Sequence, residues 1–489
     1  MRTMFRAKIT LLAVAAASLC VAASTSAANA GTAFGRGIGM SHVMAWAAIA
    51  PGPARQFVFP PFTDVSDAQF AGELQALRRT GFEFVRFAVD PGPFLQFQGP
   101  RRDRMDRILM DRVHLIMASG LAVVVDFHPS DMHPDYTAQQ LTAGAAAPVF
   151  QSYLRLLERT ARMLDTLHSN KVALELMNEP PVPQAEWQPM LEQAYAAARR
   201  GSPNLLLVLE GGHEASAAAL MAMNTAPFSA DPAVIYSFHY YDPYQFTHQG
   251  ASWNPARYLA SVPYPARARP LDESLTATAA LIAATDLPAP KKALAYQDAQ
   301  ARLEDYRASG FDGRTIAADF AQVARWAKSR GIPADHVLLG EFGANRTALR
   351  RSGAGAAERA QWFHDVSQAA ETNGFGWAAW AYRGGGFALA QSETADDIEP
   401  EIAAALGLRS GAARRAEAAP VSRALRRLPM KARRISVNGN ESSALRVRLL
   451  TIGGRLCELR RGRTGPMTLS RQVRNFRSLL ARLIDAAHA

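Results

Sequence analysis

Cysteine is almost missing from this chain of 489 residues; Cys20 and Cys457 are the only two. No disulfide framework braces the fold, and no cysteine-based metal site can be assembled. Long apolar runs are missing too. Apart from Ile9–Ala23, no stretch approaches the roughly 18 apolar residues that a membrane-spanning helix needs. No G-x-G-x-x-G fingerprint follows an early strand, so the usual signature of a dinucleotide site is lacking. No H-x-x-E-H spacing announces a metal centre.

Acidic residues are scarce at one end only. From Arg409 to Ala489 there are 19 Lys and Arg against 4 Asp and Glu, a balance of +15 in a chain whose total is +11. The preceding residues are therefore net acidic, and the basic isoelectric point of about 9.9 describes an extension and not the main body. This excludes an argument for nucleic-acid binding from overall charge. The extension has one aromatic residue, Phe476, and one apolar stripe at helical spacing through Leu469, Val473, Phe476, Leu480, Leu483 and Ile484. It is expected to be flexible or partly helical, and its basic face suits contact with an anionic polysaccharide or membrane surface.

The opposite end reads as a leader. Arg2, Arg6 and Lys8 precede the apolar stretch, and Ala28-Asn29-Ala30 offers a small-x-small cleavage site. Residues 1–30 are read as a secretory signal peptide, the mature protein as periplasmic or secreted, with no integral membrane segment after cleavage. Leu19 before Cys20 does not suit lipoprotein processing. The domain boundaries that follow are 1–30, 31–408 and 409–489.

Between the two ends the chain alternates. Short apolar runs rich in Val, Leu and Phe lie at Phe34–Met40, Phe82–Val89, Leu121–Phe127, Val172–Met177, Leu205–Leu209, Val234–Phe238, Val337–Leu339 and Phe375–Ala381. Continuous apolar strands are expected where a parallel sheet is buried on both faces. Segments at helical period separate them, among them Ala68–Thr80, Met105–Ser119, Val149–His168 and Trp187–Arg200. Gly81, Gly120 and Gly201 follow three of these, where left-handed caps are expected. Eight repeats of strand and helix predict an α/β fold, a (β/α)8 barrel. Nearly a hundred residues, Tyr240 to His336, separate the sixth and seventh strands. They hold one barrel helix and an insertion on the face where barrels bind ligands, with helical segments at Leu275–Ala284, Ala293–Ser309 and Ile316–Arg330.

In such a barrel the polar residues at the carboxyl ends of strands converge. Arg86 and Asp90 belong to the second strand, Asp126 and His128 to the third, Asn178 and Glu179 to the fourth. His239 and Tyr241 end the sixth, Glu341 follows the seventh, and Trp380, Tyr382 and Arg383 end the eighth. Two carboxylates on different strands suit acetal hydrolysis: one, protonated, supplies a proton to the leaving oxygen, and the other, ionised, attacks the sugar carbon. Arg86 favours the charged form of a neighbouring carboxylate. Asn178 offers an amide donor, Trp380 an apolar platform for a sugar ring, and His128, His239 and Tyr241 further donors and acceptors.

The segments "LELMNEP", "LLGEFGA", "YSFHYYDP", "GFEFVRFAV" and "VVVDFHPSD" together resemble glycoside hydrolase family 5, cellulase family A. The resemblance runs from about Phe34 to Leu408. It implies a (β/α)8 barrel, Glu179 as acid/base, Glu341 as nucleophile, and Arg86, His128, Asn178, His239, Tyr241 and Trp380 as their supporting shell. The implied activity is a retaining β-glycoside hydrolase, foremost an endo-β-1,4-glucanase. Its substrate is a β-linked polysaccharide or oligosaccharide, and no metal, nucleotide or redox cofactor is required. Two stretches depart from the family pattern. Ser41 and His42 stand in "GRGIGMSHVMAW", and His213 stands in "LEGGHEAS" where an aromatic is expected.

Other readings stay open on sequence alone. The same chemistry can serve mannan, another β-glucan or an exopolysaccharide during its synthesis, and a barrel of another class binds polysaccharide without cleaving it. Arg86 can be a structural ion pair with Glu341, the histidines can be core residues bonded to backbone, and Tyr382 and Arg383 can face solvent. Asp126, His128 and His239 together form a conceivable metal trio.

Overall fold

The computed structural model describes residues 33–346, 353–392 and 397–409, together with the backbone of two short strands near the C-terminus. The predicted leader lies outside the described residues. Eight parallel strands close a barrel in sequence order: β1 (Arg36–Met44), β2 (Phe84–Val89), β3 (Ala122–Phe127), β4 (Val172–Glu175), β5 (Leu206–Glu210), β6 (Val234–Tyr240), β7 (Val337–Phe342) and β8 (Gly376–Ala379). Closure is made by Arg36, Gly37 and Ile38 of β1 against Trp377, Ala378 and Ala379 of β8. The expected fold class is thus the observed one.

Helices cover the outside. They are α1 (Asp67–Thr80), α2 (Pro100–Ala118), α3 (Pro148–Asp165), α4 (Gln184–Gly201), α5 (Leu271–Ala283), α6 (Ala289–Ser309), α7 (Gly313–Ser329) and α8 (Ala356–Thr372). Their starts are written locally. Ser66 Oγ accepts the Gln69 N–H ahead of α1. Asp312 accepts the Arg314 and Thr315 N–H groups in a reciprocal capping box ahead of α7. Prolines near the N-termini of α2, α3 and α6 remove donors that the first turn leaves free anyway. Gly81 and Gly120 are left-handed as expected, at φ 111° and 85°. Gly201 is not: it ends α4, and a Cβ there meets Glu158 O at 2.2 Å. Close approach of α4 to α3, and not a left-handed cap, accounts for that glycine.

The interior of the barrel is layered. Side chains alternate across a strand, so residues two apart on one strand share the inner face. Phe84, Val124, Ala173, Val208, Ile235, Leu338 and Ala378 form an apolar cluster separate from the larger core between strands and helices. Two positions further along four of these strands come Arg86, Asp126, Glu175 and Glu210, all buried. The inner face therefore turns from apolar to ionic towards the carboxyl ends.

After β6 the insertion begins with a short helix at Tyr244–Thr247 and a 3₁₀ turn at Pro255–Tyr258, then continues through α5 and α6. Leu408 packs at the base of the barrel unit, and the Arg409 N–H donates to Thr80 O at 2.9 Å. The chain divides into two compact units between Ser422 and Arg423. Within the second, β9 (Val447–Leu450) and β10 (Leu456–Leu459) form an antiparallel ladder. The apolar stripe from Leu469 to Ile484 lies outside the described residues. Among the described residues no helix is long and apolar enough to cross a membrane.

Candidate active site

β4 ends at Glu175, and a tightly held turn follows it. Leu176 O accepts the Tyr153 hydroxyl, the Leu176 N–H donates to Val208 O, and the Asn178 N–H donates to Phe127 O. Glu179 then sits at φ 45°, a left-handed conformation that a residue with a Cβ adopts at a cost of about 1–3 kcal/mol. The Glu179 N–H is held there by Glu210 Oε2 at 2.7 Å. The turn lifts the Glu179 side chain into the cleft, one-third exposed, while Asn178 stays buried.

Arg86 is the hub beneath. It has no exposed surface, and its guanidinium grips Glu175 through two bonds of 2.7 and 2.8 Å. Its Nη1 donates to Glu341 Oε1 at 2.6 Å, and its Nη2 donates to Asn178 Oδ1 at 2.7 Å. Asp126 Oδ2 lies 3.2 Å away. Burial alone would drive the guanidinium down, but Asp126, Glu175 and Glu341 together hold its pKa well above the ordinary value. The ion pair with Glu341 expected as an alternative is present, within a larger network.

Glu341 is nearly fully buried at the end of β7. Arg86 holds one of its oxygens, and the Tyr241 hydroxyl donates to the other at 2.7 Å. Burial raises its pKa above the usual carboxylate value, against the pull of His239 and Arg86 and with the push of Glu179. His239 stands between acids. Its Nδ1 pairs with Glu179 Oε1 at 2.8 Å and lies 3.8 Å from Glu341 Oε2. Its Nε2 lies 2.8 Å from Glu210 Oε1, an ion-pair contact bent away from the hydrogen-bond line. Burial opposes its charge, yet Glu210 and Glu341, with the bond to Glu179, hold the imidazolium form well above the usual range. Burial would push Glu210 up, and His239 and Glu175 bring it down instead.

These contacts settle the position of the two strand-end glutamates. Oxygen atoms of Glu179 and Glu341 and a nitrogen of His239 all lie within 4.8 Å of one another. A cleft of about 640 Å³ opens above them. On one wall the His128 and Trp380 rings stack at 4° with centroids 5.1 Å apart, and Asp126 Oδ2 faces His128 Nδ1 at 2.9 Å. Trp46 rises beside His128, half exposed. On the other wall stand Tyr244, His248, Trp253 and Phe387.

All eight residues expected at the site converge on this cleft or on the network under it. Tyr382 and Arg383 do not face solvent: both are buried, the Arg383 guanidinium sits over the Tyr382 ring and lies 3.3 Å from Glu73. His42 turns to the same Glu73, at 2.9 Å. Asp90 braces loops, accepting the Gly92 N–H and the Ser130 hydroxyl, and burial lifts its pKa to about 6. The conceivable metal trio does not form, because Asp126 and His128 face each other while His239 presents both nitrogens to glutamates. His213 is exposed and left-handed, and its neighbours Glu214 and Ser216 reach the cleft in its place.

Sequence reasoning missed Glu175 and Glu210. Both sit one side chain inward on apolar strands, and an acid at an inward position of a barrel strand was the available signal. It also missed the aromatic residues of the loops, Trp46, Tyr244 and Trp253, for which no periodicity exists to find them.

A closed parallel barrel with two glutamates facing each other at the carboxyl ends of β4 and β7, over a cleft walled by aromatic rings, defines the class of barrel that handles sugar chains. Residues 65–386 match the family model for Cellulase (glycosyl hydrolase family 5), and the chain belongs to that family. It is similar to Endoglucanase 3 of Fibrobacter succinogenes, 24% identical over 336 residues, or 64% of this chain and 46% of that protein. It is also similar to Cellodextrinase A of Ruminococcus flavefaciens, 25% identical over 190 residues, or 37% of this chain and 54% of that protein. The chain thus spans about half the length of these relatives. Among solved structures, its fold is like that of the clostridial cellulose synthase subunit Z from Clostridioides difficile, with TM-score 0.54, 19% identity, and 76% of this chain and 99% of that one covered. A hyperthermophilic endo-β-1,4-glucanase in complex with substrate is similar at TM-score 0.54, 21% identity, and 77% and 97% coverage.

Proposed function

We propose that this protein is an exported retaining β-glycoside hydrolase, foremost an endo-β-1,4-glucanase, with Glu341 as nucleophile and Glu179 as acid/base. The observation that carries the reading is the spacing of the two carboxylates, with oxygens within 4.8 Å of each other. Retention by direct attack needs carboxyl groups roughly 5–5.5 Å apart, whereas room for a water in an inverting site needs about 6.5 Å or more.

The roles divide by environment. Glu341 is buried, and Arg86 and Tyr241 give hydrogen bonds to both its oxygens, which favours the ionised, attacking form. Glu179 is the more exposed of the two and meets both the leaving sugar and water. In the first step Glu341 attacks the anomeric carbon as Glu179 protonates the departing oxygen. In the second, Glu179 takes a proton from water, which displaces Glu341 from the sugar. The His239 imidazolium beside both carboxylates steadies the negative charge that shifts between them. Asn178 Oδ1 accepts from Arg86 Nη2, which leaves the amide N–H groups of Asn178 for a sugar hydroxyl. Trp380 supplies the ring on which the sugar face rests.

The test is a panel of β-linked polysaccharides with product lengths measured: β-1,4-glucan, mannan, mixed-linkage β-glucan and an exopolysaccharide. Release of mixed-length oligosaccharides from β-1,4-glucan supports the reading. Preferred cleavage of another chain moves the substrate but keeps the chemistry, and binding without any release of reducing ends overturns it.

A further inference from the structure

Glu210 ends β5 and has no step of its own in the reaction described above. It is buried and does not line the cleft, so it acts only through other residues. Its place is set from both sides. Its own carbonyl accepts the Trp187 indole N–H at 2.9 Å. The Gly212 N–H donates to Gln184 Oε1 at 2.8 Å, and the His213 N–H donates to Val182 O at 2.9 Å. Glycine permits this approach, since a Cβ on Gly212 would stand 2.3 Å from Val182 O. The end of β5 is thereby fastened to the segment that runs from Glu179 into α4.

From that anchored position the Glu210 carboxylate reaches Glu179 by two arms. Oε2 accepts the main-chain N–H of Glu179 at 2.7 Å, which holds the left-handed turn. Oε1 lies 2.8 Å from His239 Nε2, and His239 Nδ1 meets Glu179 Oε1 at 2.8 Å. Glu210, the imidazole, and the side chain and N–H of Glu179 therefore close a ring. One buried group grips the same residue at its backbone and, through His239, at its carboxylate. Ser237 Oγ donates to Glu210 Oε1 at 3.4 Å, and Arg86 Nη2 lies 3.7 Å from that oxygen. Burial opposes the charge of Glu210, yet His239 brings its pKa below the ordinary carboxylate value. Glu341 is held differently, by Arg86 and Tyr241, and His239 lies 3.8 Å from it against 2.8 Å from Glu179.

We propose that Glu210 is a positioning residue dedicated to the acid/base carboxylate: it aims Glu179 at the leaving oxygen through both arms, and it leaves the nucleophile to Arg86 and Tyr241. The proposal rests on the hydrolase reading of the cleft. Its consequence is selective. Loss of Glu210 misaligns proton delivery and spares the attack of Glu341, so the damage depends on how badly the leaving group needs a proton.

The experiment measures kcat/KM for a series of aryl β-glycosides of one gluco-oligosaccharide, with phenols of increasing pKa, in unaltered, Glu210→Gln and Glu210→Ala protein. Glutamine keeps an acceptor for the Glu179 N–H but turns an N–H group towards His239, so it breaks one arm; alanine removes both. With unaltered protein kcat/KM should vary little along the series. Glu210→Gln should lose about tenfold with the most basic phenol and little with the most acidic, and Glu210→Ala about a hundredfold with the most basic, in line with the cost of misplacing a catalytic group by about 1 Å. Circular dichroism and the unfolding midpoint set an assay temperature at which each variant is folded, and Glu210→Gln alone decides the matter if Glu210→Ala does not fold. A merely structural role lowers kcat/KM by one factor for every phenol, and that result, or a Glu210→Gln series identical to the unaltered one, overturns the proposal. Failure of the hydrolase reading is separate: it shows as no release of phenol or reducing ends by unaltered protein.

Discussion

Phe84, Val124, Ala173 and Val208 face the inside of the barrel, and two residues further along the same strands so do Arg86, Asp126, Glu175 and Glu210. The two layers share strands, burial and spacing, and differ only in chemistry. The lower one is what burial of apolar surface would select unaided. The upper one is not, since buried ion pairs are often no more stabilising than apolar residues of the same volume. Its charges are explained by what they hold: Arg86 fixes Glu341 and Asn178, and Glu210 fixes the turn of Glu179 and faces His239. The comparison teaches that the floor specifies the barrel, and the ionic layer specifies where two glutamates stand.

The sharpest way to separate the layers is to remove the reacting group alone. Glu341→Gln should lower turnover by at least about a thousandfold while circular dichroism and the unfolding midpoint stay near those of the unaltered protein. Glu179→Gln should lower kcat/KM on polysaccharide by about 10²–10⁴-fold. The loss should shrink on an aryl glycoside, whose leaving group departs without a proton, so parallel assays on the two substrates check the role. Arg86→Ala should both inactivate and destabilise, by about 3–5 kcal/mol in denaturant titration, because it strands Glu175, Asp126 and Glu341 without their cation. Ile235→Ala in the floor should cost about 2–5 kcal/mol but leave turnover intact at temperatures where the protein is folded. A floor variant that loses activity before it unfolds would erase the distinction.

The smallest effect is in pH. His239 has its folded pKa raised well above the ordinary imidazole value, so the folded state keeps a proton that the unfolded state releases. That contribution to stability is complete below the unfolded pKa of about 6.5 and fades as pH rises from there towards the folded value. The midpoint should therefore fall on the alkaline side. His239→Asn should flatten that fall, whereas Ile235→Ala, which touches no titrating group, should run parallel to the unaltered protein.

How much of this could be read beforehand follows from the same layers. The floor and the outward faces of β2 to β7 are apolar, so continuous runs announced a parallel sheet and its order, and the barrel followed. Boundaries drifted where the pattern is blind: β4 stops at Glu175 although the apolar run continues to Met177, and β7 continues to Phe342 past the run that ends at Leu339. Strand-end residues such as Asn178, Glu179 and Glu341 were legible because they break an apolar run. Glu175 sits one layer below that break, between Leu174 and Leu176, whereas Glu210 ends β5 ahead of Gly211 and Gly212 and was passed over at the break itself. The burial of Tyr382 and Arg383 stayed open on sequence because it comes from Glu73 on a helix remote in sequence. Trp253 belongs to an insertion whose shape is set by tertiary packing, not by local pattern.

The account rests on Glu179 and Glu341 acting on one sugar linkage at the spacing that permits direct attack. Proton magnetic resonance of the first sugar released from a β-1,4-linked oligosaccharide reads this outcome within the opening minutes, before the anomers equilibrate. The account predicts that the new reducing end appears as the β-anomer; initial appearance of the α-anomer would contradict it.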